Sequence, residues 1–299
     1  MTVSFERGRA YGQQRFLHSS ILSNRQSPSF PPRSTLISCT QDGSNPRTLI
    51  GHTKAITNLT ILGVGKNVLS SSLDGTTRLW SIGSAEETSL IRLDHPITSM
   101  IISSPSAPLS TTALENSTDE GDLRDRLAIV GFNNGELVMI DLSLGVKEGV
   151  RSFSTGGVSS ITCVDYDLES GTIVCGTRKG IVYLFDSNSK GQETEGPVKP
   201  IISFTRSGAS ILSIAFSNST TSTTLLSSPS ILIGTADGLP YRAIVNRSPD
   251  EKNERPSVRV LEEFAGLDCD SSVVTEVSGT GQVWIGGGDG VLRRYRRGV

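Results

Sequence analysis

Four side chains within one 29-residue stretch are of types that can carry chemistry. His52, Ser72, Asp74 and Trp80 offer an imidazole, a hydroxyl, a carboxylate and an indole N–H. Catalysis or metal binding is one interpretation, but no second histidine lies nearby and no carboxylate stands at ligand spacing. The interpretation we favour is a structural network. In it Asp74 accepts from His52 and from turn amides, His52 bonds the Ser72 hydroxyl, and Ser72 meets the Trp80 indole; such a network stabilises only when every member has a partner.

The segments between these residues predict β-strands. Alternating runs at Ile56–Leu62 and Asn67–Ser72 are each long enough for one strand, and a third run at 76–82 follows Asp74-Gly75. Asp-Gly favours a two-residue hairpin of the primed type, because both central residues then take a positive φ. The unit is therefore predicted to be a small antiparallel meander.

The unit recurs in degraded form. A turn glycine preceded by a short apolar strand, with another apolar strand upstream, occurs at Gly75, Gly135, Gly180, Gly238 and Gly290. Lys179-Gly180 fits a primed turn less well than Asn-Gly or Asp-Gly. The intervals between successive turn glycines are longer than an uninterrupted repeat. The additional residues fall in stretches rich in Ser, Thr, Pro and charged residues. These are predicted surface insertions near 103–125, 187–200, 217–230 and 246–257.

Two domains are predicted, a segment at 1–38 and an all-β domain at 39–299. The first 38 residues contain five arginines and one acid, Glu6, among serines, glutamines and prolines. A disordered tail, a start that replaces a repeat and a targeting signal are three interpretations of this composition. The 31 glycines among 299 residues suit many short strands and turns.

Composition argues against several function classes. The net charge of −2 gives no general bias towards nucleic acid or anionic membranes, and no apolar run has the length of a membrane span. The four arginines at 293–297 form too small a basic surface to predict nucleic-acid binding. No GxSxG motif occurs and the glycines at 286–288 have no following helix, so we predict no enzyme, small-molecule substrate, cofactor or metal. The scattered cysteines suit reduced thiols in a cytosolic protein, and they are Cys39, Cys163, Cys175 and Cys269.

The Gly-His opening, the Asp-Gly turn and the closing Trp, with Ser81 in place of the usual final Asp, resemble a WD40 propeller blade. More narrowly, residues 42–80 (DGSNPRTLIGHTKAITNLTILGVGKNVLSSSLDGTTRLW) resemble a central repeat of the proteasomal ATPase-associated factor family, fungal members most closely. Residues 266–295 resemble that family's final blade, with an Asp-Cys-Asp element and a closing Asp-Gly-x-x-Arg-Arg-Tyr.

This resemblance implies a non-enzymatic, cytoplasmic and nuclear chaperone of proteasome assembly. Such a protein binds the C-terminal domain of an AAA+ ATPase subunit of the regulatory-particle base and leaves before the particle matures. Asp268 and Asp270 stand where Gly51-His52-Thr53 stands in the first clear blade, so they are candidate contacts with a basic ATPase surface. Asp74, Asp237 and Asp289 are better explained as caps of their own turn amides. The alternative is a generic WD40 scaffold in another complex.

The sequence departs from the family in its number of repeats. The family is expected to have seven blades, whereas five turn-centred units are visible here, with a sixth contribution possible from residues 36–49. An incomplete set of blades would leave sheet edges unpaired, which is an aggregation hazard. On that basis the chain alone is expected to self-associate or to be poorly soluble.

Overall fold

The computed structural model of the chain describes residues 19–22, 35–38, 47–62, 67–103, 126–142, 150–157, 159–188, 196–217, 230–246, 256–267, 270–277 and 282–296. Strands joined by turns and loops make up these ranges, which contain no helix. No helix suited to crossing a bilayer therefore occurs in them. The prediction of an all-β chain is confirmed.

One compact unit comprises residues 1–97 and 107–126 and contains two antiparallel sheets. Sheet 1 has three strands, β1 (Ser19–Leu22), β2 (Thr35–Ser38) and β3 (Arg47–Ile50). Sheet 2 has four strands, β4 (Ile56–Leu62), β5 (Asn67–Ser72), β6 (Thr76–Ser81) and β7 (Glu86–Arg92). Strands β1 and β2 lie inside the segment 1–38, and β2 pairs with β3 beyond it. Sheet 1 therefore crosses the boundary that the composition suggested.

The other compact unit comprises residues 98–106 and 127–299. Sheet 3 contains β8 (Ile97–Ile102), β9 (Leu127–Phe132), β10 (Glu136–Asp141) and β11 (Arg151–Ser154). Sheet 4 contains β12 (Ile161–Asp167), β13 (Thr172–Thr177), β14 (Ile181–Asp186) and β15 (Ile202–Thr205). Sheet 5 contains β16 (Ile211–Phe216), β17 (Ser230–Thr235), β18 (Tyr241–Asn246) and β19 (Ser257–Glu263), and sheet 6 contains β20 (Ser271–Val277), β21 (Gln282–Gly287) and β22 (Leu292–Tyr295).

The sheets match the predicted repeats, with one addition. Each turn glycine found in the sequence lies between the second and third strands of sheets 2 to 6, and sheet 1 accounts for the possible sixth unit. Sheets 2 to 5 each add an outer fourth strand that the sequence did not predict, namely β7, β11, β15 and β19. The outer strands lack a clear apolar pattern because they are the more exposed ones, as in β7 and β19.

The core of the second unit lies between successive sheets. Val174 of β13 packs with Ile211 and Ile233 between sheets 4 and 5, and Phe153 packs with Phe185 between sheets 3 and 4. All six residues of β13 are buried, which explains why this second strand is a short apolar run rather than an alternating one. Sheets 3 to 5 thus contribute both faces of their second strands to the core.

The turns differ from the predicted two-residue hairpins. In all five, the N–H of the turn glycine donates to the carbonyl three residues earlier, as from Gly75 to Ser72 and from Gly180 to Thr177. The five glycines have φ between 74° and 87°, whereas Ala85 is the sole non-glycine with positive φ among the described residues. Only the last turn residue is therefore left-handed, as in a type I turn that ends in glycine. Lys179 fits such a turn, because its own φ stays negative.

The central parts of the four predicted insertions lie outside the described residues. Those parts are 104–125, 189–195, 218–229 and 247–255, and the prediction that they are surface loops stays a prediction.

Candidate functional site

A chain of side-chain hydrogen bonds crosses sheet 2 from its third strand to the loop before its first. The indole N–H of Trp80 in β6 donates to Oγ of Ser70 in β5 at 2.8 Å. Ser70 Oγ lies 2.8 Å from Nε2 of His52, and His52 Nδ1 lies 3.1 Å from Oδ2 of Asp74. Because a carboxylate only accepts, the proton of a neutral His52 is on Nδ1, and Nε2 accepts from the Ser70 hydroxyl. Each donor–acceptor pair in the series is then satisfied.

The middle of the network is Ser70 and not Ser72, which corrects the sequence prediction. In the ladder between β5 and β6, Val68 is opposite Trp80 and Ser70 is opposite Arg78. The long indole reaches its diagonal neighbour on the same face, which is Ser70. Ser72 lies two residues further along β5 towards the turn. The Ser72 hydroxyl instead donates to the carbonyl of Lys54 and accepts from the N–H of Asp74.

Asp74 closes the network at the turn. Its carboxylate accepts from the N–H of Thr53 at 2.9 Å, from the N–H of Thr76 at 2.9 Å and from the Thr76 hydroxyl at 2.6 Å. Burial by itself would raise the pKa of Asp74, but the hydrogen bonds from Thr76 and Thr53, together with the charge that His52 carries only at the low pH where Asp74 titrates, outweigh it and lower the pKa to about 2. Asp74 is therefore ionised at neutral pH.

His52 is held in its neutral form. Burial lowers its pKa below the ordinary value of 6.5, and the opposing influence of Asp74 does not restore it. A neutral imidazole suits the network because Nε2 must accept from Ser70, which a doubly protonated ring cannot do. The burial of His52 and its role as an acceptor therefore favour the same protonation state.

Gly51 allows the close approach that this arrangement requires. A Cβ at position 51 would lie 2.8 Å from the Trp80 ring and 2.5 Å from the Arg78 guanidinium. Arg78 itself forms an ion pair with Glu87 of β7, the outer strand. Any side chain at position 51 would push Trp80 or Arg78 away. Steric exclusion therefore explains why a glycine precedes His52.

The connectivity Asp74–His52–Ser70 has the order of a hydrolase triad, but its accessibility does not suit catalysis. Ser70 is 0% exposed and His52 is 1% exposed. The Ser70 oxygen also accepts the Trp80 N–H, which occupies one of its two lone pairs. A nucleophile must reach its substrate, and this hydroxyl is sealed inside the sheet. The arrangement favours a structural role for the network.

One of the two candidate partner-binding residues is described, and it lies at the start of sheet 6. Asp270 immediately precedes β20 and is exposed. Its backbone carbonyl accepts the N–H of Gly288 at 2.8 Å, which places it beside the turn at 288–290. Asp268 lies outside the described residues. The structure therefore places Asp270 at the predicted end of the sheet, and a role for both aspartates in binding stays a prediction.

The turn aspartates have local partners, as the capping interpretation predicts. Oδ1 accepts an N–H two residues ahead in Asp74, Asp237 and Asp289. The carboxylate of Asp289 also accepts two bonds from the guanidinium of Arg293, at 3.2 and 2.7 Å, and these lower its pKa. Asp289 thus forms an ion pair with Arg293 within the chain. In this respect it differs from its neighbour Asp270.

Two of the four cysteines are described, and both are free thiols. Cys163 is opposite Gly176 and Val164 is opposite Cys175, so the two thiols point to opposite faces of sheet 4. Burial raises the pKa of Cys163 to about 12 and also raises the pKa of Cys175. No group of three or more potential metal ligands occurs in the described part of the chain. Cys39 and Cys269 lie outside it.

Comparison with known proteins identifies the class of fold. A family model described as "WD domain, G-beta repeat" (WD40) matches residues 43–81, which cover β3 to β6 and the whole network. The β-propeller domain of Cps50 (Swd1) from Myceliophteria thermophila is similar over 89% of this chain and 81% of its own, with 14% identity and a TM-score of 0.56. The computationally designed Ika8 protein is similar over 96% of this chain and 72% of its own, with 17% identity and a TM-score of 0.55.

These matches define an all-β, β-propeller fold that contains a WD40 repeat. At this level of identity they identify the fold alone, and 1311 solved chains match, so they select no client. A comparison with curated protein sequences finds no match. WD40 propellers are generally non-enzymatic scaffolds for protein–protein interaction, and a scaffold is the use that this fold suggests.

Proposed function

We propose that this chain is a non-enzymatic assembly chaperone of the proteasome regulatory particle. It would bind the C-terminal domain of an AAA+ ATPase subunit of the base and block a surface that another complex later occupies. The observation that carries the proposal is the arrangement of sheet 6. The two halves of its family-like motif, Asp-Cys-Asp and Asp-Gly-x-x-Arg-Arg-Tyr, stand about 20 residues apart in sequence, and Asp270, the last residue of the first half, lies beside the turn that begins the second.

The charges at this end suit a basic client. Asp270 is exposed at the start of β20. Asp289 beside it is engaged by Arg293, which leaves Asp270 as the described acid best placed there to meet basic side chains of a partner. Asp268, its neighbour in sequence, joins it in the proposal on the resemblance alone. Complementary charge at an interface rim raises the association rate and specificity more than the affinity. That balance suits a partner that must later be released.

The framework behind these residues supports a steric mechanism. Sheet 6 packs on sheet 5 through Val283 and Ile285 against Leu232. The first blade of the resemblance, sheet 2, is locked by the buried network of His52, Ser70, Asp74 and Trp80. A preorganised surface loses little entropy on binding and can exclude a competitor without changing shape.

Charge reversal tests the proposal. Purified chain is used to capture the isolated C-terminal domains of the base ATPases, and the variant Asp268→Lys with Asp270→Lys is compared with a control of equal charge change. The control is Glu86→Lys with Glu169→Lys. These two exposed acids each lie at the end of their own sheet (sheet 2 or sheet 4) that is away from its turn glycine. We expect the Asp268/Asp270 variant to lose at least tenfold in capture and the control to keep it. Equal capture by both variants would remove the acidic contact from the proposal.

Affinity capture from cell extract tests the choice of client. Recovery of base ATPase subunits without the proteolytic core supports the assembly role, and recovery of an unrelated complex instead favours the generic WD40 scaffold. A cytoplasmic and nuclear location is part of the proposal, and fluorescence microscopy of the tagged chain checks it. Confinement to another organelle would contradict it.

A further inference from the structure

The turn of sheet 4 differs from the other four turns in the residue before its glycine. In sheets 2, 3, 5 and 6 that residue is an aspartate or an asparagine, and its Oδ1 accepts the N–H of the residue after the glycine. These residues are Asp74, Asn134, Asp237 and Asp289. In sheet 4 the same position holds Lys179, whose side chain only donates. The turn of sheet 4 therefore breaks a local rule of this chain.

Thr177 supplies the bond that Lys179 cannot make. Its hydroxyl oxygen accepts the N–H of Ile181 at 3.0 Å and donates to the carbonyl of the same residue at 2.9 Å. The N–H after the glycine is therefore satisfied without any contribution from the side chain at position 179. Because folding of the turn does not require a lysine there, the lysine is a departure of the kind expected at a functional site.

Two cations stand side by side on this turn. Arg178 and Lys179 are exposed, and neither has a side-chain hydrogen bond or an ion pair within the described part of the chain. In the loop after β15, Arg206 differs from them, because Glu263 of β19 engages it at 2.8 Å. The turn thus presents two positive charges that no described acid neutralises.

The turn lies between two loops that have exposed glycines. On one side, Ser159 Oγ accepts the backbone N–H of Lys179 at 3.2 Å and keeps its own proton to donate. On the other side, a Cβ on Gly180 would lie 2.6 Å from the carbonyl carbon of Gly208. Added Cβ atoms on Gly156 and Gly208 would meet nothing within 4 Å. The loops therefore leave room beside the two cations for a ligand group with several oxygens.

We propose that the turn of sheet 4 binds a phosphorylated serine or threonine in a segment of a partner protein. A phosphate monoester carries about −1.5 to −2 charges at pH 7 and three acceptor oxygens, whereas one carboxylate carries a single charge. An arginine can bind two of these oxygens at once, and a lysine acts as a point charge. Arg178, Lys179 and the Ser159 hydroxyl together match such a group.

A phosphate carried on a peptide fits this surface better than a free ion. Exposed charge pairs contribute little by themselves, so tight binding needs a further contact. Arg206 Nη1 donates to the carbonyl of Leu239 at 3.2 Å, which places this leucine next to the loop that covers Gly180. Leu239 is 48% exposed. An apolar residue near the phosphorylated one in the partner can pack there.

This surface is distinct from the proposed chaperone contact. It is cationic and contains neither Asp268 nor Asp270, so the inference goes beyond the binding of a basic ATPase surface. Sheet 4 packs against sheets 3 and 5 within one compact unit. The turn and both loops belong to that unit as well.

Peptide binding tests the inference. The probe is the fluorescein-labelled heptapeptide Ala-Leu-Ala-pSer-Ala-Leu-Ala, titrated with the full chain and followed by fluorescence anisotropy. Its matched peptides have serine or glutamate in place of phosphoserine. We expect the phosphopeptide to bind at least tenfold more tightly than the glutamate peptide, and the serine peptide not to bind. Unlabelled phosphopeptide should displace the probe at a concentration at least tenfold lower than inorganic phosphate does.

Variants of the turn assign the binding to its cations. Arg178→Glu with Lys179→Glu is expected to weaken phosphopeptide binding at least tenfold. The control Lys199→Glu with Arg259→Glu changes one exposed lysine and one exposed arginine outside the turn, and it should leave binding unchanged.

Two single variants complete the test. Lys179→Asn restores the residue type of the turn of sheet 3, so it should weaken binding about fivefold without lowering the free energy of unfolding measured with urea. Leu239→Ser should weaken phosphopeptide binding about threefold and leave displacement by inorganic phosphate unchanged.

Several results would overturn the inference. They are equal binding of the phosphoserine and serine peptides or of the phosphoserine and glutamate peptides, equal displacement by phosphopeptide and inorganic phosphate, and no binding of the phosphopeptide. Equal binding by the two double variants, or a loss of stability in Lys179→Asn that accounts for its loss of binding, would overturn it as well.

Discussion

The indole N–H of Trp80 donates to the hydroxyl of Ser70, at 2.8 Å, and the same hydroxyl lies 2.8 Å from the imidazole of His52. One serine therefore connects the third strand of sheet 2 to the loop before its first strand, through the strand that separates them. The three residues are buried, so each bond replaces a contact with water that folding removes. This arrangement makes Ser70 the member of the network on which the others depend.

We expect Ser70→Ala to destabilise the chain more than Ser72→Ala. The first change leaves the Trp80 N–H and His52 Nε2 buried without a partner, at a cost of about 2–4 kcal/mol in the free energy of unfolding. The second removes two bonds of Ser72 near the turn, at a cost of about 1 kcal/mol. Urea unfolding followed by tryptophan fluorescence and circular dichroism measures both. An equal or larger loss for Ser72→Ala would contradict the assignment.

The stability of the chain should fall as the pH is lowered below about 6.5, because of His52. Its pKa is lower in the folded chain than the ordinary 6.5, so the unfolded chain binds the proton more tightly. Stability from neutral His52 is therefore present above the unfolded pKa and is lost as pH falls towards the folded pKa, by at most about 1.4 kcal/mol per pH unit. Asp74 behaves likewise in a second window, from its ordinary pKa of 3.8 down to about 2.

Unfolding free energies measured between pH 8 and pH 5 check the His52 effect. His52→Gln is expected to be less stable at neutral pH and to have a flatter profile, because the titrating group is gone. His95→Gln is the matched control, since His95 is a second described histidine outside the network, and it should keep the slope of the parent chain. If His95→Gln removed the pH dependence of the unfolding free energy and His52→Gln kept it, the assignment of that dependence to His52 would be wrong.

Alanine at two equivalent turn glycines should have different effects. Gly180 has a φ of 77°, and a Cβ there would lie 2.5 Å from the carbonyl oxygen of Ala209. Gly290 has a φ of 79° but open space around its missing Cβ. We expect Gly290→Ala to cost about 1 kcal/mol from backbone strain alone and Gly180→Ala to cost about 3 kcal/mol from strain and the clash together. Urea unfolding of both variants measures this, and equal losses would show that the covering of the Gly180 turn is not rigid.

Much of the strand framework could be predicted from the sequence. Ile56–Leu62 and Asn67–Ser72 are strands with the predicted bounds, because each run is short enough for one strand and the Asp-Gly turn follows the second. The outer strands escaped prediction for the converse reason. β7 is mostly exposed and carries three charged residues among its seven, so its pairing with β6 leaves no hydrophobic period in its own sequence.

The turns and the network show a similar division. The glycine at each turn follows from a requirement for positive φ that the sequence displays directly. Whether a loop has two or three residues depends on how the flanking strands pair, and the dipeptides alone favoured the wrong class. His52, Asp74 and Trp80 were identified by residue type and spacing, whereas the choice between Ser70 and Ser72 required the ladder between β5 and β6.

The sequence by itself determined that this protein is an all-β chain of repeated meanders whose first clear repeat is braced by a histidine, an aspartate and a tryptophan. Those properties depend on local patterns, which a linear chain carries in full. Tertiary structure decided which serine completes the network and that Asp270 lies beside the turn of sheet 6. Each of these depends on which strand lies next to which, and pairing between segments distant in sequence is a property that neither segment contains alone.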